Sequence, residues 1–149
     1  MKEESITFEE EIIATASQMS HDAIIRTTWD LVFTNRRIIA LKTGSGEDVI
    51  GGLLGVIGLA IVRGHSRKKS KKIQKLPISQ ILSSEYEKEF FPYEALESII
   101  IRPSRIVSSK IVIKQRGKKK KRYAGNRQDV ARVNDVSMNL RQYGAPIKQ

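Results

Sequence analysis

Two tracts of lysine and arginine are the residues whose type and spacing fit a chemistry, and that chemistry is the gripping of anions. Residues 63–75 hold Arg63, Arg67, Lys68, Lys69, Lys71, Lys72 and Lys75, while residues 114–122 hold Lys114, Arg116, Lys118, Lys119, Lys120, Lys121 and Arg122. Together they carry 14 of the 27 basic residues and none of the 16 acidic ones. The body that remains is slightly acidic, although the whole chain has a net charge of +11. A positive field concentrated in this way draws polyanions, meaning an anionic bilayer or a nucleic acid. The plainer alternative is a pair of solvated lysine runs that keep the surface hydrated. For nucleic acid, Tyr123 beside Arg122 supplies one ring that could stack on a base, which is a thin base-reading surface.

The groups that catalysis needs are missing or badly spaced. The 149 residues include no Cys, which removes disulfides and thiolate metal sites. His21 and His65 are the two histidines and share no ligand spacing, so no metal is expected. His21 and Asp22 are neighbours whose side chains point apart, with no Gly-x-Ser-x-Gly element to accompany them. Glu9-Glu10-Glu11 and Glu85, Glu87, Glu89 read as solvated faces rather than acid/base pairs. The expectation is a non-enzymatic chain without a cofactor or a small-molecule substrate.

Between the first strands and the first basic tract lies Val49–Val62, fourteen uncharged residues with four glycines. The run lacks the Lys-Ser/Thr ending of a phosphate-binding loop. As a helix it would span about 21 Å, short of the roughly 30 Å hydrocarbon core of a bilayer. Each interior glycine costs a water-exposed helix about 1 kcal/mol, so something must compensate. Gly51, Gly55 and Gly58 fall on one helical face, where another backbone can approach closely. Three readings stay open: a core helix against the chain's own body, self-association through the glycine face, or partial insertion into lipid. The last two are compatible, because an oligomer multiplies weak lipid contacts.

The elements around these residues read as mainly β. Residues 6–16 are a strand of mixed pattern. Ala23–Gly44 holds two β-rich runs around Thr34-Asn35-Arg36, where Asn tolerates the left-handed backbone of a tight turn. Ile38 to Leu41 is apolar on both faces, which marks a strand covered on both sides. Ile78, Ile81, Leu82 and Tyr86 follow Pro77 at helical spacing. Strands return at 90–104 and 109–115, Arg116-Gly117 turns, and the Lys-rich run to Ala124 reads as an edge strand. A helix closes the chain, capped by Asn126 with Asp129 as its capping-box partner, and stopped by Gly144 and Pro146. Its apolar face is Val130, Val133, Val136, Leu140 and Tyr143. The reading is one domain over 1–149, with a helical and basic insertion at 47–89. The acidic, polar start "MKEESITFEEE" has no signal-peptide pattern, so a cytoplasmic place is expected, peripheral at the inner membrane face under the lipid reading.

"LVFTNRRIIALK" (Leu31–Lys42) resembles the Leu-Thr-Asn-Lys/Arg-Arg-Ile signature of bacterial and archaeal PH-like domains, relatives of the pleckstrin-homology and GRAM fold. "FPYEALESIII" resembles a later strand entry of the same family, and the closing helix is similar to the one that plugs its barrel. The resemblance covers residues 8–44 and 89–143. It implies a barrel of two near-orthogonal antiparallel sheets capped by a C-terminal helix, acting as a binding or assembly module and often membrane-associated. The loop that binds phosphoinositides in eukaryotic relatives corresponds to Ser17–Ala23, which holds no Lys or Arg. Anion binding here would therefore fall to the two basic tracts. The function expected is self-association with docking on anionic phospholipid; the alternatives are sequence-independent nucleic-acid binding and a soluble oligomeric scaffold.

Overall fold

The computed structural model describes residues 9–21, 27–45 and 77–148. The tract at 63–75 and the Gly51, Gly55 and Gly58 face lie outside the described residues. The strands are β1 (Ile12–His21), β2 (Thr27–Thr34), β3 (Arg37–Ser45), β4 (Lys88–Pro92), β5 (Leu96–Arg102), β6 (Ser109–Gln115), β7 (Lys121–Gly125) and β8 (Ile147–Lys148). They form one open sheet in the order β4-β3-β2-β1-β7-β6-β5-β8, antiparallel except where β8 joins β5. The helices are α1 (Ile78–Ser83), α2 (Arg127–Asp135) and α3 (Ser137–Gln142). The fold is mainly β, as the sequence implies. No helix among the described residues is long and apolar enough to cross a membrane.

Both arms of the sheet turn side chains to one core. Leu31, Phe33, Ile38 and Phe91 enter from the first four strands, and Ile99, Ile111, Ile113 and Tyr123 from β5 to β7. Val130 and Val133 of α2 and Leu140 of α3 complete it. Taking each such side chain out of water contributes about 1.5–3 kcal/mol, so this shared core holds the two arms together.

The β2–β3 hairpin turns at Asn35-Arg36, where the sequence puts it, but for another reason. Among the described non-glycine residues the left-handed backbone belongs to Gln18, not Asn35. Asn35 works through its amide: Oδ1 accepts the Glu11 N–H at 2.9 Å and Nδ2 donates to the Glu9 carbonyl at 3.1 Å. On β3, Ile38 and Ala40 join the main core, while Ile39 and Leu41 face the other way beneath Ile81 of α1. That second layer explains the strand's two apolar faces. The helical spacing read over 78–89 stops at Ser83, because the Ser84 hydroxyl donates to the Ile81 carbonyl at 2.7 Å and competes with the helical ladder. From Lys88 the chain pairs with β3 instead.

Two loop and edge expectations are corrected. Ser17–His21 is strand, continuing β1 through an irregularity between Ala16 and Met19. There the ladder breaks and Gln18 takes a φ of 54°. The Ser17 N–H donates to Asp129 Oδ2 at 2.8 Å and the Gln18 N–H to Asp30 Oδ1 at 2.9 Å, so two carboxylates stand where the partner strand cannot. β7 is not an edge: it pairs with β6 and, through Ser20–Ala124 and His21–Tyr123, with β1. At Gly125 an added Cβ would meet the Met19 sulfur, so that side chain would have to shift. Among the described residues the edges of the sheet are β4 and the two-residue β8.

Asn126 caps α2 as predicted, its Oδ1 accepting the Asp129 N–H at 2.8 Å. The Asp129 carboxylate does not return the capping box, because it serves Ser17. The expected single helix is two, broken at Val136. Tyr143, expected on the buried face, is 48% exposed past the end of α3. Gly144, at φ 93°, ends the helix as its sequence position implies.

Candidate anion-binding site

Strand alternation divides β5, β6 and β7 into an inner and an outer face. Ile101, Ile111 and Tyr123 are buried, while their neighbours Arg102, Lys110 and Arg122 are exposed. The register then sets Arg102 opposite Lys110, Ile100 opposite Val112, and Val112 opposite Arg122. With Lys120 these side chains line a groove of about 270 Å³, four cations around a floor of Ile100 and Val112. β8 adds Lys148 opposite Ile100. Like charges directly opposite on a sheet destabilise it, so such a cluster gains from an added anion. The chain from Ser98 to Gln128 contains eleven Lys or Arg and no Asp or Glu. Among the described residues, Arg102, Lys110, Lys120 and Arg122 form no ion pair.

The second basic tract is thus split by the pleat. Lys120 and Arg122 enter the groove, and Arg116, Lys118 and Lys119 stand exposed around Gly117, a turn with φ 72°. Lys114 instead lies 4.0 Å from Glu97 and donates to the Gln115 and Lys118 carbonyls. Lys121 is ion-paired with Glu89 of β4, its ammonium 5.3 Å from the centre of the Phe91 ring. Burial holds that ammonium below the usual lysine range despite the carboxylate beside it. These two lysines are committed within the chain. Arg102 and Lys110 were missed by a count of consecutive charges, although a period-two reading of "IIIRP" and "SKIVIK" puts both on the polar side. Tyr123 is fully buried and stacked on His21, ring centres 5.1 Å apart, so it offers no face to a base.

A larger cleft, of about 560 Å³, opens beside the β2–β3 turn between Arg36, Arg37, Tyr93, Glu94 and Tyr143. Arg36, Arg37 and Glu94 give it charges of both signs, and Arg37 is already engaged with Glu10 beside it. Arg37 holds Glu10 through Nε and Nη2, each at 2.9 Å, and its guanidinium sits 4.7 Å from the Phe90 ring centre. Burial alone would raise the Glu10 carboxyl, but the hydrogen bonds from Arg37 and Thr34 and the Arg37 charge outweigh it and hold it below the usual range. Tyr93 donates to the Thr34 carbonyl at 2.5 Å, and burial pushes its hydroxyl far up. This corner is a structural joint, and the smaller cationic groove is the better site.

Among the described residues no three His, Cys, Asp or Glu side chains converge on a metal position. Comparison with family models, with curated proteins and with solved structures gives no match.

Proposed function

We propose that the chain is a non-enzymatic, PH-like binding module that docks on anionic phospholipid through the outer face of β5, β6 and β7. The observation that carries this is the groove: four cations without ion-pair partners among the described residues, over two aliphatic side chains. Antiparallel pairing from β1 to β7 followed by C-terminal helices supports the PH-like part of the reading, since that resemblance implies antiparallel sheets capped by a C-terminal helix. The tract at 63–75 adds seven cations by sequence. Burial of Tyr123 removes the ring that the sequence offered for base stacking, so a nucleic acid on this face would be held through its phosphates. Self-association through Gly51, Gly55 and Gly58 belongs to the same proposal on sequence grounds, and the light-scattering mass of the Gly55→Leu variant tests it.

The docking test is cosedimentation with phosphatidylcholine vesicles, with and without phosphatidylglycerol. Each Lys or Arg near an anionic surface is worth about 1 kcal/mol, so a Lys120→Gln/Arg122→Gln variant should partition roughly 30-fold more weakly. A Lys121→Gln variant should bind as the parent does. Equal binding by all three chains, or binding to duplex DNA without vesicle binding, would remove the reading.

A further inference from the structure

We infer that the loop between β5 and β6 is a membrane-inserting tip: Ile106 and Val107 enter the acyl layer of an anionic bilayer while Arg102, Arg105 and Lys110 hold lipid phosphates. This rests on the docking reading above and names how the same face seats itself. Ile106 is 95% exposed and Val107 66% exposed, next to each other in a six-residue loop. Isoleucine and valine are among the residues most often buried, and here two of them project side by side from a loop flanked by cations.

The loop is built to show them. The Ser104 Oγ accepts the Ile106 N–H at 3.3 Å and the Val107 N–H at 3.2 Å, and the Ser109 Oγ accepts the Ser104 N–H at 2.8 Å. With the backbone amides turned in to serine hydroxyls, the aliphatic side chains are what the tip presents. Arg102 and Lys110 face each other at the base of the loop, and Arg105 is exposed within it. Ile106 is four positions along the chain from either basal cation, which at about 3.3 Å per step places them no more than roughly 13 Å apart. Amphipathic elements seat their apolar side about 5–10 Å into the headgroup and acyl boundary. An apolar tip with a basic collar matches the layering of an anionic bilayer, hydrocarbon beneath phosphate. An acidic protein surface would match the collar and leave the tip in water.

The chain has no cysteine, so Ile106→Cys gives a single site for an environment-sensitive fluorophore such as NBD. With phosphatidylglycerol vesicles its emission should move to the blue and be quenched by nitroxides on the acyl chain. The same label at Gln80→Cys, on α1, should stay as in buffer. An Ile106→Glu/Val107→Glu variant should partition at least about tenfold more weakly in cosedimentation. Full vesicle binding with no change in the fluorophore on the loop tip would overturn insertion and leave docking in place. No vesicle binding at low salt, or a response to duplex DNA alone, would overturn both.

Discussion

Asp129 Oδ2 accepts the backbone N–H of Ser17 at 2.8 Å, across 112 residues of sequence. One carboxylate thus ties the first turn of α2 to the place where β1 loses its ladder. The same residue gives its own N–H to the Asn126 cap, so helix start and strand irregularity are fixed together. Asp129→Ala leaves a part-buried amide without an acceptor and should cost about 1–3 kcal/mol in urea unfolding. Asp129→Asn keeps an oxygen there and should recover much of that loss. Equal losses in both variants would show that charge, not the hydrogen bond, is what matters.

Gln18 tests the other half of the irregularity. Its φ of 54° is costly for a side chain with a Cβ and cheap for glycine. Gln18→Gly should be neutral or stabilising in spite of the looser unfolded chain, whereas Gln18→Val should lose about 1–2 kcal/mol. A Gly variant less stable than the Val variant would mean that the strand does not need this backbone shape.

The Glu10–Arg37 pair sets an acid limit. The Glu10 carboxyl lies below its ordinary value of 4.5 in the folded chain, so it binds a proton more readily when unfolded. Its contribution is therefore complete above pH 4.5 and is lost as the pH falls through the lower folded value. The urea midpoints of the parent and of Glu10→Gln should differ at neutral pH and converge in acid. Parallel curves throughout would rule out the linkage.

How far the sequence reaches is set by how local each cause is. The β2–β3 hairpin and the Asn126 cap announce themselves within a few residues, and both form where expected. The Ser17 irregularity does not, because the groups that allow it, Asp30 and Asp129, come from other elements. The candidate site divides in the same way. Lys120 and Arg122 belong to a visible run, but Arg102 and Lys110 join them only through cross-strand register, which a one-residue slip would undo. Lys121 looked identical to Lys120 in sequence. Glu89 and Phe91 of β4 draw it inward, and no count of charges along β7 can show that.

Tyr123 gives the last test, because its ring and its hydroxyl have opposite effects. The ring is fully buried in the main core and stacked on His21, which stabilises the β1–β7 joint. The hydroxyl is buried with no hydrogen-bond partner among the described residues. Burial also pushes its pKa far up, so it stays protonated and polar. A buried polar group without a partner costs about 1–3 kcal/mol, and phenylalanine keeps the ring without that cost. Tyr123→Phe should therefore raise the urea midpoint, by about 1 kcal/mol of stability. Tyr123→Ala should lose about 3–5 kcal/mol by opening a cavity against His21 and the core. Vesicle binding by the Phe variant should match the parent, since the residue faces away from the groove. A Phe variant less stable than the parent would show that the hydroxyl is satisfied after all, and the β7 joint would then owe part of its hold to that bond.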